Sequence, residues 1–167
     1  MRTRLKASIF MPFLAGTLIA PAMAGSLDKS CLVAQCDVGA KVTTYSTQAE
    51  PYFACPTREL AAYTTTVLGL ISTHISFTGK MPNISDRTGE PEYLDGPDGP
   101  NQTRMMLDRV RGAAGVRTFD QAAAICQLGK GKQSVTVMNN PENSGVLWVK
   151  DSAGKTYWMP KSHVDKK

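Results

Sequence analysis

The chain has 167 residues, with 19 Lys and Arg against 14 Asp and Glu, two histidines and four cysteines. Its net charge of +5 is no argument for nucleic-acid binding. Arg2, Arg4 and Lys6 belong to a leader-like start, and 19 basic residues less those three, against 14 acidic ones, leave +2; the rest are scattered, the only run being Lys166-Lys167. No catalytic or metal-binding motif is found, so neither a metal nor a cofactor is expected.

After the basic start, Ala7 to Ala22 is uncharged and mostly apolar. Ala22-Met23-Ala24 then places small residues where a signal peptidase reads, so cleavage is expected after Ala24. The run falls short of the roughly 20 apolar residues that a span needs, and Pro12 and Pro21 interrupt it. No stable membrane span is therefore expected after cleavage, and the expected location is the periplasm or the exterior. Neither Ser30-Cys31 nor Gln35-Cys36 fits the small-residue pattern of a lipidated cysteine. The Met-Arg-Thr-Arg start reads as bacterial, which sets aside the glycosylation patterns at Asn83 and Asn101. Residues 25–167 suffice for one domain burying roughly 70% of its unfolded surface.

Four cysteines in an exported chain read as two disulfides, and three pairings are possible. Cys31–Cys36 as a local loop with Cys55–Cys126 as the long-range bond is the favoured one. Cys-x4-Cys lacks the spacing of a redox pair.

The expected fold class is α+β, one disulfide-braced domain. Residues 25–55 form an arm with a strand at 41–46. Residues 56–129 are the helical part. Leu60, Thr64, Val67, Leu68, Ile71 and Ile75 recur on one helical face, so a long N-terminal helix is predicted, opened by Pro56 at its first turn and closed by Gly79. His74 lies beside that stripe with no second ligand at helical spacing. Residues 80–100 are a loop crowded with Gly and Pro. Its carboxylates Asp86, Glu90, Glu92, Asp95 and Asp98 lack the alternating spacing of an EF-hand and read as an exposed acidic loop. Two short helices follow, the first capped at Asn101 or Thr103 and closed by Gly112. The second is capped by Thr118, with Gln121 in capping-box position, and runs from Phe119 to Leu128 with Gly129 as its terminator. A DNA-reading helix-turn-helix is untenable behind a signal peptide.

Residues 130–164 form a β-meander of three strands, with the hairpin Ser152-Ala153-Gly154-Lys155 inside it. Val135, Val137, Leu147, Val149, Tyr157 and Met159 form the alternating set that faces a core, expected to be covered by the 56–78 helix and the Cys126 helix. Trp148 and Trp158 fall on the other set.

Lys130-Gly131 before Val135-Thr136-Val137-Met138, Leu147-Trp148 entering the next strand, Gly154 and the ending Met159-Pro160-Lys161-Ser162-His163-Val164 together resemble an SH3-type small β-barrel of the bacterial kind. The resemblance covers about a quarter of residues 25–167. In the peptide-binding eukaryotic family the groove consists of aromatic residues and a proline. Pro160 matches that proline, Leu147 stands at the groove tryptophan with Trp148 beside it, and His163 replaces a tyrosine. The first strand of such a barrel is not found ahead of Lys130, where the Cys126 helix stands. Binding of an envelope protein or of peptidoglycan is what the resemblance implies.

Trp148, Tyr157 and Trp158, with Pro160 and His163, are thus the candidate binding residues, because aromatics on strands offer a large contact area with few rotors. The expected function is that of a non-catalytic envelope binding protein. The alternatives are a small exported hydrolase, using Glu59 with an acidic-loop carboxylate or His74 with Asp86, and an accessory or inhibitor protein of a secretion or conjugation assembly.

Overall fold

A computed structural model describes residues 27–97 and 99–166; the leader, its cleavage after Ala24, and Asp98 lie outside them. The fold is α+β and is braced by the disulfides Cys31–Cys36 and Cys55–Cys126. Its main sheet is antiparallel and contains β1 (Lys41–Thr44), β4 (Ser134–Asn139), β5 (Val146–Asp151), β6 (Thr156–Pro160) and β7 (Val164–Lys166), in the order β6-β5-β4-β1-β7. The sheet therefore has five strands, not three. β1 takes the place beside β4 that the sequence assigned to the Cys126 helix, pairing Val42 with Val135.

Alternation along these strands builds the inner core. Val42, Val135, Val137, Leu147, Val149, Tyr157, Met159 and Val164 come from all five strands and bury one shared cluster with Tyr52, Cys31 and Cys36. The edge strands β6 and β7 are separated only by a 3-10 turn at Lys161–His163. Four strand spacings in a flat sheet would hold them about 19 Å apart. Three residues of 3-10 helix bridge only about 8 Å. The sheet must therefore curl around the inner core, drawing its two edges towards each other. No helical residue belongs to that cluster, so the expected helical cover is corrected. Both edges are also capped: Ser30 bridges to Asp165 on β7, and Cys55 bridges to Trp158 on β6.

The helices are inserted between β1 and β4 and pack on the outer face. The long helix α1 (Arg58–Thr78) follows β1 and β2 (Phe53–Ala54), so it is not the N-terminal element. Thr57 is its cap, its hydroxyl accepting from Leu60 N; Pro56 precedes the cap instead of opening the first turn. Gly79 ends the helix at φ 69°, a left-handed conformation that costs a glycine little. Leu60, Ala61, Tyr63 and Val67 form a second buried cluster with Leu107, Val116, Ala122 and the outer-face residue Val146. By length and composition α1 could cross a bilayer, with a mean hydropathy of 1.2. Its buried residues, from Leu60 to Val67, lie in its first half.

Asn101 caps α2 (Gln102–Ala113), its side-chain oxygen accepting from Thr103 N and Arg104 N. Gly112 lies inside this helix, and the left-handed residue is Gly115. Thr118 caps α3 (Phe119–Ile125) as expected, but Gln121 reaches back to Arg117 N instead of the cap residue. α3 stops three residues before the expected Leu128. Cys126 is held by its disulfide, and Gln127–Leu128 form β3, paired antiparallel with β2. The bond Cys55–Cys126 thus sits at the end of this two-stranded sheet and ties it to the β6 edge.

Candidate functional site

Trp148 and Trp158 are directly opposite on β5 and β6, with ring centroids 6.4 Å apart and planes 22° from parallel. They stand on the outer face because Leu147, Val149, Tyr157 and Met159 point into the inner core. Trp158, like Phe53, packs against the helical cluster, and Trp148 is half-buried next to it. Pro160 pairs with Val146 on the same outer row but is buried. Leu147, at the position of a groove tryptophan, is wholly buried.

His163 lies elsewhere, on the 3-10 turn between β6 and β7. Its ring packs on Tyr52 (5.3 Å) and Tyr45 (6.4 Å); Nδ1 meets Ser162 Oγ at 3.0 Å, and buried Nε2 has no hydrogen-bond partner among the described residues. Burial holds the imidazole below its ordinary value, against smaller upward pulls from Glu50 and Asp165. Beside it Lys161 is buried and donates from Nζ to Pro141 O at 2.7 Å. Desolvation lowers its pKa, assisted by Arg58.

Tyr157 faces inward, away from the tryptophans. The five candidate residues therefore form no single patch: Trp148, Trp158 and Pro160 share the outer face, while Tyr157 and His163 do not join them. Tyr157 instead lines a cleft of about 130 Å³ with Tyr52, Gly129, Lys130, Asp151 and Lys155. Burial raises its phenol pKa well above the ordinary range, and the charges near Tyr52 and Asp151 add to that. Lys155 Nζ donates across the cleft to Gln127 Oε1 at 2.6 Å. Apart from Tyr157, sequence reasoning missed these cleft residues, since β3 and the β5–β6 hairpin meet only through the tertiary fold. The one local signal was Gly129, where a Cβ would lie 2.1 Å from the Tyr52 ring.

The loop 80–100 is not uniformly exposed. Glu90 is buried, accepting from Tyr63 Oη at 2.7 Å and from Arg111 Nη1, and Arg111 also reaches Asp108. Burial pushes the Tyr63 phenol up, and Glu90 pushes it further. These hydrogen bonds raise the Arg111 pKa despite the opposing and larger single effect of desolvation. Asp95 pairs with Arg104 at 2.9 Å and accepts from Asn101 N, steadying the start of α2. Among the described residues no three His, Cys, Asp or Glu side chains converge as metal ligands. No hydrogen bond or ion pair among the described residues joins Glu59 to a loop carboxylate, or His74 to Asp86.

Comparison of the chain with protein-family models, with curated proteins and with solved structures returns no match.

Proposed function

We propose that this chain is an exported, non-catalytic binding protein of the bacterial cell envelope. It engages a protein partner or peptidoglycan through the outer face of an SH3-type small barrel. The observation that carries this reading is the stacked Trp148–Trp158 pair, set on adjacent strands and left half-exposed. Two rigid aromatics whose backbones are locked in a sheet lose little entropy on binding and offer a broad apolar contact.

The barrel reading is supported by the five-stranded order and by the 3-10 turn that joins the two edge strands immediately after Pro160. The export reading is supported by the two disulfides, which persist in oxidising compartments, and by the basic and apolar start of the chain.

The test is retention on purified peptidoglycan and on immobilised envelope extract. Trp148→Ala is the informative variant, because Trp158 also serves the helical cluster. The variant should keep its urea midpoint and lose retention. Undiminished retention with Trp148→Ala would overturn the aromatic site.

A further inference from the structure

We propose that the cleft between β3 and the β5–β6 hairpin binds an α-carboxylate together with its neighbouring N–H, the chemistry of a free amino acid or of a peptide C-terminus. The inference is independent of the tryptophan face.

The first observation is Tyr157. Its side chain lines the cleft, the residue is only 7% exposed, and its hydroxyl has no hydrogen-bond partner among the described residues. The hydroxyl oxygen is not itself enclosed, so it opens into the cleft with its hydrogen-bonding capacity unused by the described residues. The neighbouring Tyr52 phenol is satisfied, donating to Lys130 O at 3.0 Å.

The second observation is the hydrogen-bonding capacity left unused around that hydroxyl. Lys155 uses one ammonium N–H on Gln127 and keeps two. The ammonium of Lys130, on the same wall, has no partner among the described residues. Asp151 accepts from Ala153 N and Lys155 N through one oxygen, at 2.9 Å each, and its other oxygen remains available. Two lysines, a phenol and a carboxylate with one free oxygen therefore line the same cleft. The complementary ligand carries an anion with a donor beside it. A neutral sugar would leave both ammonium groups unneutralised, and a phosphate dianion would set its charge against Asp151. A cleft of about 130 Å³ gives room for roughly four liquid waters, which suits one amino-acid residue. Gly129 keeps its wall open to the Tyr52 ring, and Gly129 N fastens it to Tyr52 O at 2.7 Å.

The test is a titration of the oxidised protein followed by amide proton–nitrogen spectra, with four probes: acetyl-alanyl-alanine, its C-terminal amide, free alanine and inorganic phosphate. The free acid should shift the Gly129, Lys130, Asp151, Lys155 and Tyr157 amides, and the amide should not. Lys130→Met and Lys155→Met, both exposed and foldable changes, should each weaken binding about tenfold, as loss of a charge-assisted hydrogen bond does. Tyr157→Phe should weaken it by a smaller factor, and Trp148→Ala should leave it unchanged. Free alanine binding as well as the acetylated acid would assign the site to amino acids; binding of the acetylated acid alone would assign it to peptide termini. The proposal is overturned if phosphate or the peptide amide shifts the same signals equally. It is also overturned if the lysine variants bind the acid unchanged, or if no probe shifts these signals at about 10 mM.

Discussion

Cys55 and Trp158 exchange both backbone hydrogen bonds, Cys55 N to Trp158 O at 2.9 Å and Trp158 N to Cys55 O at 2.8 Å. The residue that anchors the long-range disulfide therefore also covers the free edge of β6, behind the stacked tryptophans. The covalent framework and the candidate binding face meet at one residue.

Replacing both Cys55 and Cys126 by alanine should cost about 4 kcal/mol in the chain-entropy account, because the bond closes a span of 71 residues. The same change at Cys31 and Cys36, five apart, should cost about 2 kcal/mol. Urea unfolding under oxidising conditions measures both. Tryptophan emission should shift to the red in the first variant alone, since only that bond holds the strand beside Trp158.

The buried pair Glu90–Arg111 should behave as a unit. Arg111→Met should destabilise by about 3 kcal/mol, leaving the buried Glu90 charge uncompensated, and Glu90→Gln by less, because Asp108 still pairs with Arg111. The double variant should lose less than the sum of the two, by about 1 kcal/mol or more. Additive losses in a urea double-mutant cycle would show that the two side chains act separately.

His163 should make the fold acid-sensitive. Its folded pKa is lowered below the ordinary value near 6.5. Above that value neither state carries the proton, and the group contributes no pH dependence. As pH falls below it, the unfolded chain takes up a proton that the folded one resists, so stability is lost down to the folded pKa. The urea midpoint should therefore fall as pH drops below about 6.5, and His163→Phe should flatten that fall.

Gly129→Ala should be more damaging than its small size suggests. The new Cβ would lie 2.1 Å from the Tyr52 ring, which is itself buried in the inner core. Overpacking of this kind costs about 1–3 kcal/mol, and a thermal melt should place the loss at the upper end. An unchanged melt would mean that the Tyr52 ring moves aside freely.

The periodic parts of the fold were legible in the residues. The inner row Val135, Val137, Leu147, Val149, Tyr157 and Met159 followed from alternation alone, and the first half of the helical stripe, Leu60 to Val67, from its 3.6 period, whereas Ile75 at its far end is exposed. Both patterns are local and survive without knowledge of partners. The candidate site was less legible. Trp148 and Trp158 were seen to share a face, but their stacking depends on the β5–β6 register, and the burial of Glu90 on its meeting with Tyr63 and Arg111.

Composition, period and cap chemistry determined that this chain is an α+β protein with two disulfides, a long helix ended by Gly79 and a β-rich end. Only the tertiary structure decided that the sheet has five strands. The partner of β4 is β1, some ninety residues upstream across the entire helical insertion. A strand as short as Lys41–Thr44 carries too little pattern to name its neighbour. The pairing is set by the apolar surface that curling buries, and by the 3-10 turn at Lys161–His163 that brings the two edges together.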